Sequence, residues 1–252
     1  MKITKNNLIQ KEQYKFPYHY ITQIFDSGEN YKSYINWPFS FEYFITLRTI
    51  NKTLDKINCK NYLDVGCGDG RLINYLASKK KKINFHGIDN DLRSISWAKN
   101  FNNLKNVKFK CQDISKLKKS NFDLISLIEV LEHIEPKKLK KFCHEVKKRL
   151  KVNGKLIITV PHVNKKLIPK HYQHFTFKKI YSYFSSNFQI VEIKGYPKKS
   201  LFWSVLDKIF CNRFWFFESN FINKLKVKQF KFIHKEQNSK RIFLYLKKNK
   251  KN

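Results

Sequence analysis

Arginine is scarce in this chain: only six of its 52 basic residues are Arg, and the rest are Lys. Acids are scarce too, 19 in all, which leaves a formal net charge of +33 on 252 residues. No stretch of 18 or more residues is free of charge, so hydropathy excludes a membrane-spanning helix. Met1 to Lys15 holds no long apolar run, so no secretory signal is expected. The five cysteines (Cys59, Cys67, Cys111, Cys143 and Cys211) include no Cys-x-x-Cys pair. Their spacing excludes a structural zinc site, and their odd number fits poorly with a closed disulfide framework. Buried thiols in a reducing cytoplasm are expected instead. Glycine is also rare, seven in all, but three of the seven fall between positions 66 and 70.

What is present points to an ordered domain. Apolar residues make up 42% and aromatics 16%, which argues against a disordered chain. The length suits one domain with an elaboration. A surface this basic attracts polyanions such as RNA or an acidic membrane face. Drift toward A/T-rich codons would give the same richness in Lys, Asn, Ile, Phe and Tyr. Arg is the better fork for phosphates and base edges, so its scarcity favours the compositional origin. Both origins stay open. Nine of the 19 acids lie between Asp64 and Glu135, which suggests that this segment needs carboxylates.

Residues 1–38 are polar and aromatic and read as a cap segment. A helix is expected over about Ser40–Ile57. Strand-like and helix-like runs then alternate. Strands are expected at Tyr62–Val65, Ile83–Ile88, Val107–Cys111, Phe122–Ile128 and Leu156–Val160. Helices are expected at Arg71–Ser78, Leu92–Asn100 and Lys137–Leu150, with a turn at Asn153-Gly154. The alternation predicts an α/β fold: a mostly parallel sheet with helices on both faces. After Pro161 come a loop to Thr176, a helix to Tyr183, a strand at Gln189–Ile193 and a last strand at Arg241–Leu246. The span 196–240 between those strands is too long for a hairpin loop and reads as a lid or insert. The tail after Leu246 is expected to fray. The organisation expected is thus a cap over 1–38 and one domain over 39–252.

The central motif is Tyr-Leu-Asp-Val-Gly-Cys-Gly-Asp-Gly-Arg-Leu, Tyr62 to Leu72. It closes a strand and opens a helix. Gly66, Gly68 and Gly70 remove side chains where backbone turns tightly and a ligand approaches. A dinucleotide fingerprint needs glycine at position 71, which is Arg71, so NAD is disfavoured. Acids then follow later strands: Asp89 in His-Gly-Ile-Asp, Asp113 in Cys-Gln-Asp-Ile, and Glu129 in Ile-Glu-Val-Leu-Glu-His. Taken singly, each has a plainer reading. Asp89 could cap a helix and Asp113 a turn.

On these residues together, the chain resembles the class I S-adenosylmethionine (SAM) dependent methyltransferases, over about residues 40 to 195 and the final strand. The resemblance implies a Rossmann-like seven-stranded sheet with an antiparallel last strand, and SAM as cofactor. It implies Asp64, Gly66, Cys67, Gly68, Asp89, Asp113 and Glu129 as the cofactor-binding set. Asp64 would anchor the methionine ammonium, Asp89 the ribose hydroxyls and Asp113 the adenine amino group.

A helical Ile128–Ile134 would put Glu129, Glu132 and His133 on one face, where two carboxylates and an imidazole can bind a divalent ion such as Mg²⁺ or Mn²⁺. Glu-x-x-Glu-His here resembles quinone-ring O-methyltransferases and small-RNA 3′-terminal 2′-O-methyltransferases. In the latter a further His completes a metal site, and this chain offers His162, His171 and His174. Many relatives carry the motif without a metal. In that case His133 or His174 is the expected general base, or His133 is simply buried. Asn/Asp-Pro-Pro-Tyr and a paired nucleophilic Cys are absent, which favours an oxygen acceptor.

The expected activity is O-methylation of a saccharide, lipid-linked or other small-molecule acceptor. RNA ribose methylation and a non-catalytic SAM-binding RNA or membrane adaptor stay open. The loop Val160–Thr176 would hang over the acceptor. The aromatic run Leu201–Phe217, followed by Lys224, Lys226, Lys228 and Lys231, reads either as a lid on the sheet edge or as an interfacial segment. The expected location is cytoplasmic, with peripheral contact at the inner membrane face left open.

Overall fold

A computed structural model describes residues 5–14, 23–26, 31–34, 37–118, 121–197, 201–210, 221 and 235–249. In the stretch expected to be a cap, α1 (Lys5–Gln13) precedes a two-stranded antiparallel ribbon of β1 (Gln23–Asp26) and β2 (Tyr31–Tyr34). Helix α2 (Trp37–Asp55) leads into the alternating region. There follow β3 (Asn61–Val65), α3 (Arg71–Lys79), β4 (Asn84–Asp89), α4 (Leu92–Asn100), β5 (Val107–Cys111) and β6 (Phe122–Ile128). The chain continues through α5 (Pro136–Arg149), β7 (Leu150–Pro161), α6 (Phe177–Ser182), β8 (Phe188–Pro197), α7 (Leu201–Phe210) and β9 (Ser239–Lys248).

Seven strands form one sheet in the order β5-β4-β3-β6-β7-β9-β8. The first five are parallel, and β9 runs antiparallel to both β7 and β8. This is the Rossmann-like sheet that the alternation and the resemblance predicted. Strand order reverses at β3, with β4 on one side and β6 on the other. A crevice opens beyond the carboxyl ends of the strands at such a switch point, and ligands bind there.

The period-2 alternation of the strands divides the core into two layers. On one face Leu63, Ile125, Leu127, Leu156, Ile158 and Leu244 pack with Leu139 and Val146 of α5. On the other, Tyr62, Leu124, Ile157 and Phe243 pack with Ile50 of α2 and Ile73 and Leu76 of α3. Each fully buried side chain of this size contributes roughly 1.5–3 kcal/mol. Helix α5 starts with Pro136 in its first turn and ends with Lys147, Lys148 and Arg149, cations that complement its dipole. Lys248 then donates to the carbonyls of Lys147 and Leu150, at 2.8 and 2.7 Å. These contacts satisfy the helix end and keep β9 in the sheet past Leu246, where fraying was expected.

Two further expectations are corrected. Asn153-Gly154 is not a turn ahead of the strand. It lies inside β7, where the ladder with β6 jumps from Phe122–Leu150 to Leu124–Lys155 and Asn153 adopts φ 59°. Ile128–Ile134 is not one helix. Strand β6 ends at Ile128, Glu129 takes φ 56°, and only Leu131–His133 forms a single 3₁₀ turn.

Candidate functional site

The glycine loop links β3 to α3 at the carboxyl end of the sheet. Gly66, Gly68 and Gly70 have φ of 72°, 54° and 77°, a region that costs other residues roughly 1–2 kcal/mol. Two of them also answer a close approach. A Cβ on Gly70 would meet Ala98 of α4 at 2.9 Å and Phe109 of β5 at 2.8 Å. A Cβ on Gly68 would run into the Tyr14 hydroxyl. Tyr14 is buried, and its carbonyl accepts from the Trp97 indole at 3.4 Å. The residue after α1 therefore sits directly on the glycine loop.

Asp64 is buried at the end of β3. Its Oδ1 accepts from the Ser126 hydroxyl, which itself accepts from the Tyr62 hydroxyl at 2.7 Å. Burial pushes the Asp64 carboxyl up to about 7; the Ser126 bond opposes the rise and Asp89 adds to it. Asp89 does not cap a helix. Its Oδ2 accepts from the Gly68 N–H and its Oδ1 from the Asp91 N–H, each at 3.0 Å. Burial raises its carboxyl, and these two bonds work against the rise. Asp91 is the cap of α4, through the Ser94 N–H at 2.9 Å. Asp113 caps the short 3₁₀ turn Ile114–Lys116 through the Ser115 N–H at 2.7 Å. Cys67 is buried, and its thiol is held well above its ordinary range by burial and three nearby aspartates. Buried in this way, it is placed to shape the loop. Cys59, Cys67, Cys111 and Cys143 are free thiols, and Cys211 lies outside the described residues.

The Glu-x-x-Glu-His segment is divided differently from the helical expectation. Glu129 turns to the last antiparallel strand, where its Oε1 lies 3.1 Å from Arg241 Nε. Glu132 is fully buried, and neither carboxylate oxygen has a hydrogen-bond partner. Burial first, and the Glu129 charge second, push its carboxyl well up. The loop after β7 folds back over it, with the Tyr172 N–H donating to the Glu132 carbonyl at 2.8 Å. That loop delivers His171. One donor atom each from Glu132, His133 and His171 lies within 4.8 Å of the others. Thus His171 stands in the cluster where Glu129 was expected.

His162 lies apart from this cluster. It pairs with Glu236 at 3.2 Å, and Glu236 also accepts from the Phe177 N–H at 2.6 Å, so the two fasten the loop to the 3₁₀ turn Glu236–Asn238 just before β9. His174 has both ring nitrogens engaged: Nδ1 with the Lys165 carbonyl at 2.9 Å and Nε2 with His171 Nδ1 at 2.8 Å. A general base needs a free lone pair within reach of the acceptor. The one lone pair of neutral His174, at Nε2, faces His171 Nδ1 in this structure. His133 keeps one, at Nε2, because Nδ1 donates to the Lys170 carbonyl at 3.1 Å. Burial lowers the His133 imidazole to about 4, which suits it to ligation better than to proton abstraction at neutral pH. Thr176 caps α6 through the Lys179 N–H, and Phe175 is buried in the core.

A buried carboxylate with no hydrogen donor and two imidazoles close by form a hard, partly nitrogenous donor set that suits a divalent cation. The donor set is therefore one that a divalent metal could use, the alternative left open on sequence. Sequence reasoning did not single out Arg241, Ser126 or Tyr14. Arg241 did carry a signal, as one of six arginines placed at the start of the last strand. Tyr14 carried none.

A family model described as a methyltransferase domain matches residues 58–238. The chain belongs to that family. The domain is of the SAM-dependent kind. Among curated relatives, the ubiquinone biosynthesis O-methyltransferase of Coxiella burnetii (strain Dugway 5J108-111) is 36% identical over 105 residues, 40% of this chain and 43% of that protein. The enzyme of the same name from Neisseria meningitidis serogroup A is 31% identical over 152 residues, 55% of this chain and 60% of its own length. The chain thus spans less than two thirds of these relatives. Among solved structures, the N-methyltransferase NodS from Bradyrhizobium japonicum WM9, in complex with S-adenosyl-L-homocysteine, superposes with a TM-score of 0.57 at 17% identity. That match covers 85% of this chain and 89% of NodS. The plantazolicin methyltransferase BpumL gives 0.58 at 17%, covering 85% and 88%. These structures share the fold of this methyltransferase domain.

Proposed function

We propose that the protein transfers the SAM methyl group to a hydroxyl oxygen of a small-molecule acceptor, a saccharide or lipid-linked one among the candidates, and that a divalent cation assists. The observation that carries this reading is the buried Glu132 carboxylate, without hydrogen donors, beside His133 and His171. It lies next to the cofactor loop: Val130, two residues earlier, is the side chain that a Cβ on Gly66 would strike, at 2.7 Å. The O-methyltransferase names of the curated relatives agree with an oxygen acceptor.

In this reading the glycine loop, Asp64 and Asp89 grip the cofactor, and Glu132, His133 and His171 would hold the cation. Glu129, held by Arg241, lines the pocket. Asp113 takes the adenine edge while capping its turn. A divalent cation there supplies Lewis acidity that lowers the pKa of an acceptor hydroxyl. The protein's main contribution is alignment of the oxygen in line with the methyl group. The cap over 1–38 closes the pocket through Tyr14, and the domain occupies 39–252. An exposed apolar face on α7, with Leu201 83% and Val205 50% exposed, supports contact with a lipid-linked acceptor or a membrane face. The expected lysines 224, 226, 228 and 231 and the aromatic run beyond 210 lie outside the described residues. No helix among the described residues is long and apolar enough to cross a membrane.

The test is incubation with methyl-labelled SAM and a fractionated extract of the source cells, with and without EDTA. Label in a glycan, lipid or small-molecule fraction, lost in EDTA and restored by Mn²⁺ or Mg²⁺, is the expected result. EDTA-insensitive label there removes the metal. SAM binding with no label anywhere supports a non-catalytic adaptor.

A second reading is methylation of an RNA ribose hydroxyl. It is favoured by the +33 charge and by the exposed Lys137, Lys138, Lys140, Lys141 and Lys148 on α5. Label in RNA, with retention that weakens steeply with salt, would select it.

A further inference from the structure

Two histidines near the Glu132 carboxylate, His133 and His174, face carbonyl oxygens, a third, His171, is bonded to His174, and that wiring fixes where their protons sit. A carbonyl only accepts. His174 Nδ1 faces the Lys165 carbonyl at 2.9 Å, so the proton of neutral His174 is on Nδ1 and its Nε2 is a bare lone pair. His171 Nδ1 lies 2.8 Å from that Nε2. It must therefore donate, which leaves Nε2 as the one ring nitrogen of His171 with a lone pair. Independently, His133 Nδ1 donates to the Lys170 carbonyl at 3.1 Å and leaves its own Nε2 bare.

We propose that His174 is a positioning residue: it holds His171 in the Nδ1–H tautomer, so that His171 offers an Nε2 lone pair to the cluster it forms with Glu132 and His133. The inference rests on the reading of that cluster as a cation site. It assigns to His174 a role distinct from both ligand and base.

The argument is one of chemical need. A neutral imidazole can ligate only through an unprotonated nitrogen, and the group bonded to the other nitrogen decides which one that is. Free imidazole in water samples both tautomers and both ring flips. Here His171 is buried and stands nearly perpendicular to His133, with ring centroids 4.8 Å apart, and next to His174, with centroids 5.1 Å apart. The Lys165 carbonyl belongs to the loop after β7, and the His162–Glu236 pair ties that loop to the end of the sheet. The tautomer of a side chain at the cluster is thereby set by a chain of contacts that begins in the loop backbone. Nothing in the chain His-Tyr-Gln-His, read as sequence, separates the histidine that offers a lone pair from the one that aims it.

The test is nitrogen-15 NMR of the histidine rings in the full-length protein, which distinguishes Nδ1–H from Nε2–H forms without any metal. The expected spectrum has His133, His171 and His174 all as Nδ1–H. In His174→Phe, His171 is expected to move to the Nε2–H form, and in His174→Gln, whose amide oxygen can accept, to keep Nδ1–H. Titration with Mn²⁺, followed by electron paramagnetic resonance, should show affinity about 10–100-fold weaker in His174→Phe, partly restored in His174→Gln, with SAM affinity unchanged in both. An Nε2–H form of His171 in the wild type, or a tautomer untouched by His174→Phe, overturns the inference, and the wild-type spectrum alone can do so if that variant does not fold. A wild type with the expected tautomers and response that takes up no Mn²⁺ supports the role of His174 and removes the cation reading.

Discussion

Arg241 Nε lies 3.1 Å from Glu129 Oε1, so the start of the last strand closes on the first residue after β6. The register makes this possible, because Arg241 pairs with Pro161 at the end of β7 and with Tyr196 at the end of β8. The guanidinium also lies 6.0 Å from the Tyr196 ring, and the Tyr196 hydroxyl bonds Thr46 of α2 at 2.7 Å. Glu129 in its left-handed conformation is thus held from two strands away in the sheet.

Arg241→Met should leave that carboxylate beside an apolar side chain. Loss of one member of a largely buried pair costs about 3–5 kcal/mol. Glu129 is partly exposed, so a smaller loss of about 2 kcal/mol is expected here. Urea unfolding measures it. Arg241→Lys should restore only part, because an ammonium lacks the planar fork. An unchanged midpoint in Arg241→Met would show that the pair is idle.

Gly68→Ala should weaken SAM binding about tenfold or more. The added methyl meets the Tyr14 hydroxyl and must also adopt φ 54°, at roughly 1 kcal/mol. Tyr14→Ala in the same chain should recover the steric part and leave the backbone part. Calorimetry on the two single variants and the double variant separates the two contributions. Equal losses in Gly68→Ala with and without Tyr14 would remove Tyr14 from the pocket.

Asp64 sets a pH dependence whose sign follows from its raised carboxyl. In the folded protein it keeps its proton up to about 7, against an ordinary value of 3.8. Between those values the folded state binds the extra proton, so this group's contribution to stability is complete below about pH 4 and is lost as pH rises toward 7. Binding a cofactor ammonium favours the ionised form, so SAM affinity should rise between pH 6 and 8. Asp64→Asn should flatten both profiles. A SAM affinity in the wild type that is level over this range would contradict the ammonium contact.

The exposed face of α7 gives a membrane prediction. Val205→Asp together with Leu201→Asp should reduce co-sedimentation with anionic vesicles severalfold and leave SAM affinity unchanged. Retention equal to that of the wild type would assign vesicle binding to the lysine charge alone.

The sequence by itself determined the sheet. The period-2 burial of Leu63, Ile125 and Leu156 on one face and Tyr62, Leu124 and Ile157 on the other is local chemistry. It places some elements to the residue, as at Leu92–Asn100, Val107–Cys111 and Phe122–Ile128, whereas the strand expected at Leu156–Val160 is Leu150–Pro161 and the one expected at Gln189–Ile193 is Phe188–Pro197. The glycine loop was legible for the same reason, since positive φ at three positions demands a residue type visible in the chain. What only the tertiary structure decided lies in the turns and long-range pairs. Helical spacing put Glu129 with Glu132 and His133, but a left-handed φ at Glu129 rotates it away to Arg241. His171 and His174 look alike in sequence. They separate only because the loop after β7 folds back over Glu132 and sets one imidazole against a carbonyl and the other against the carboxylate. Periodicity reports which face a residue shares with its neighbours along one element. It carries no information about which residue a distant loop brings within hydrogen-bonding distance, and this site is built from such contacts.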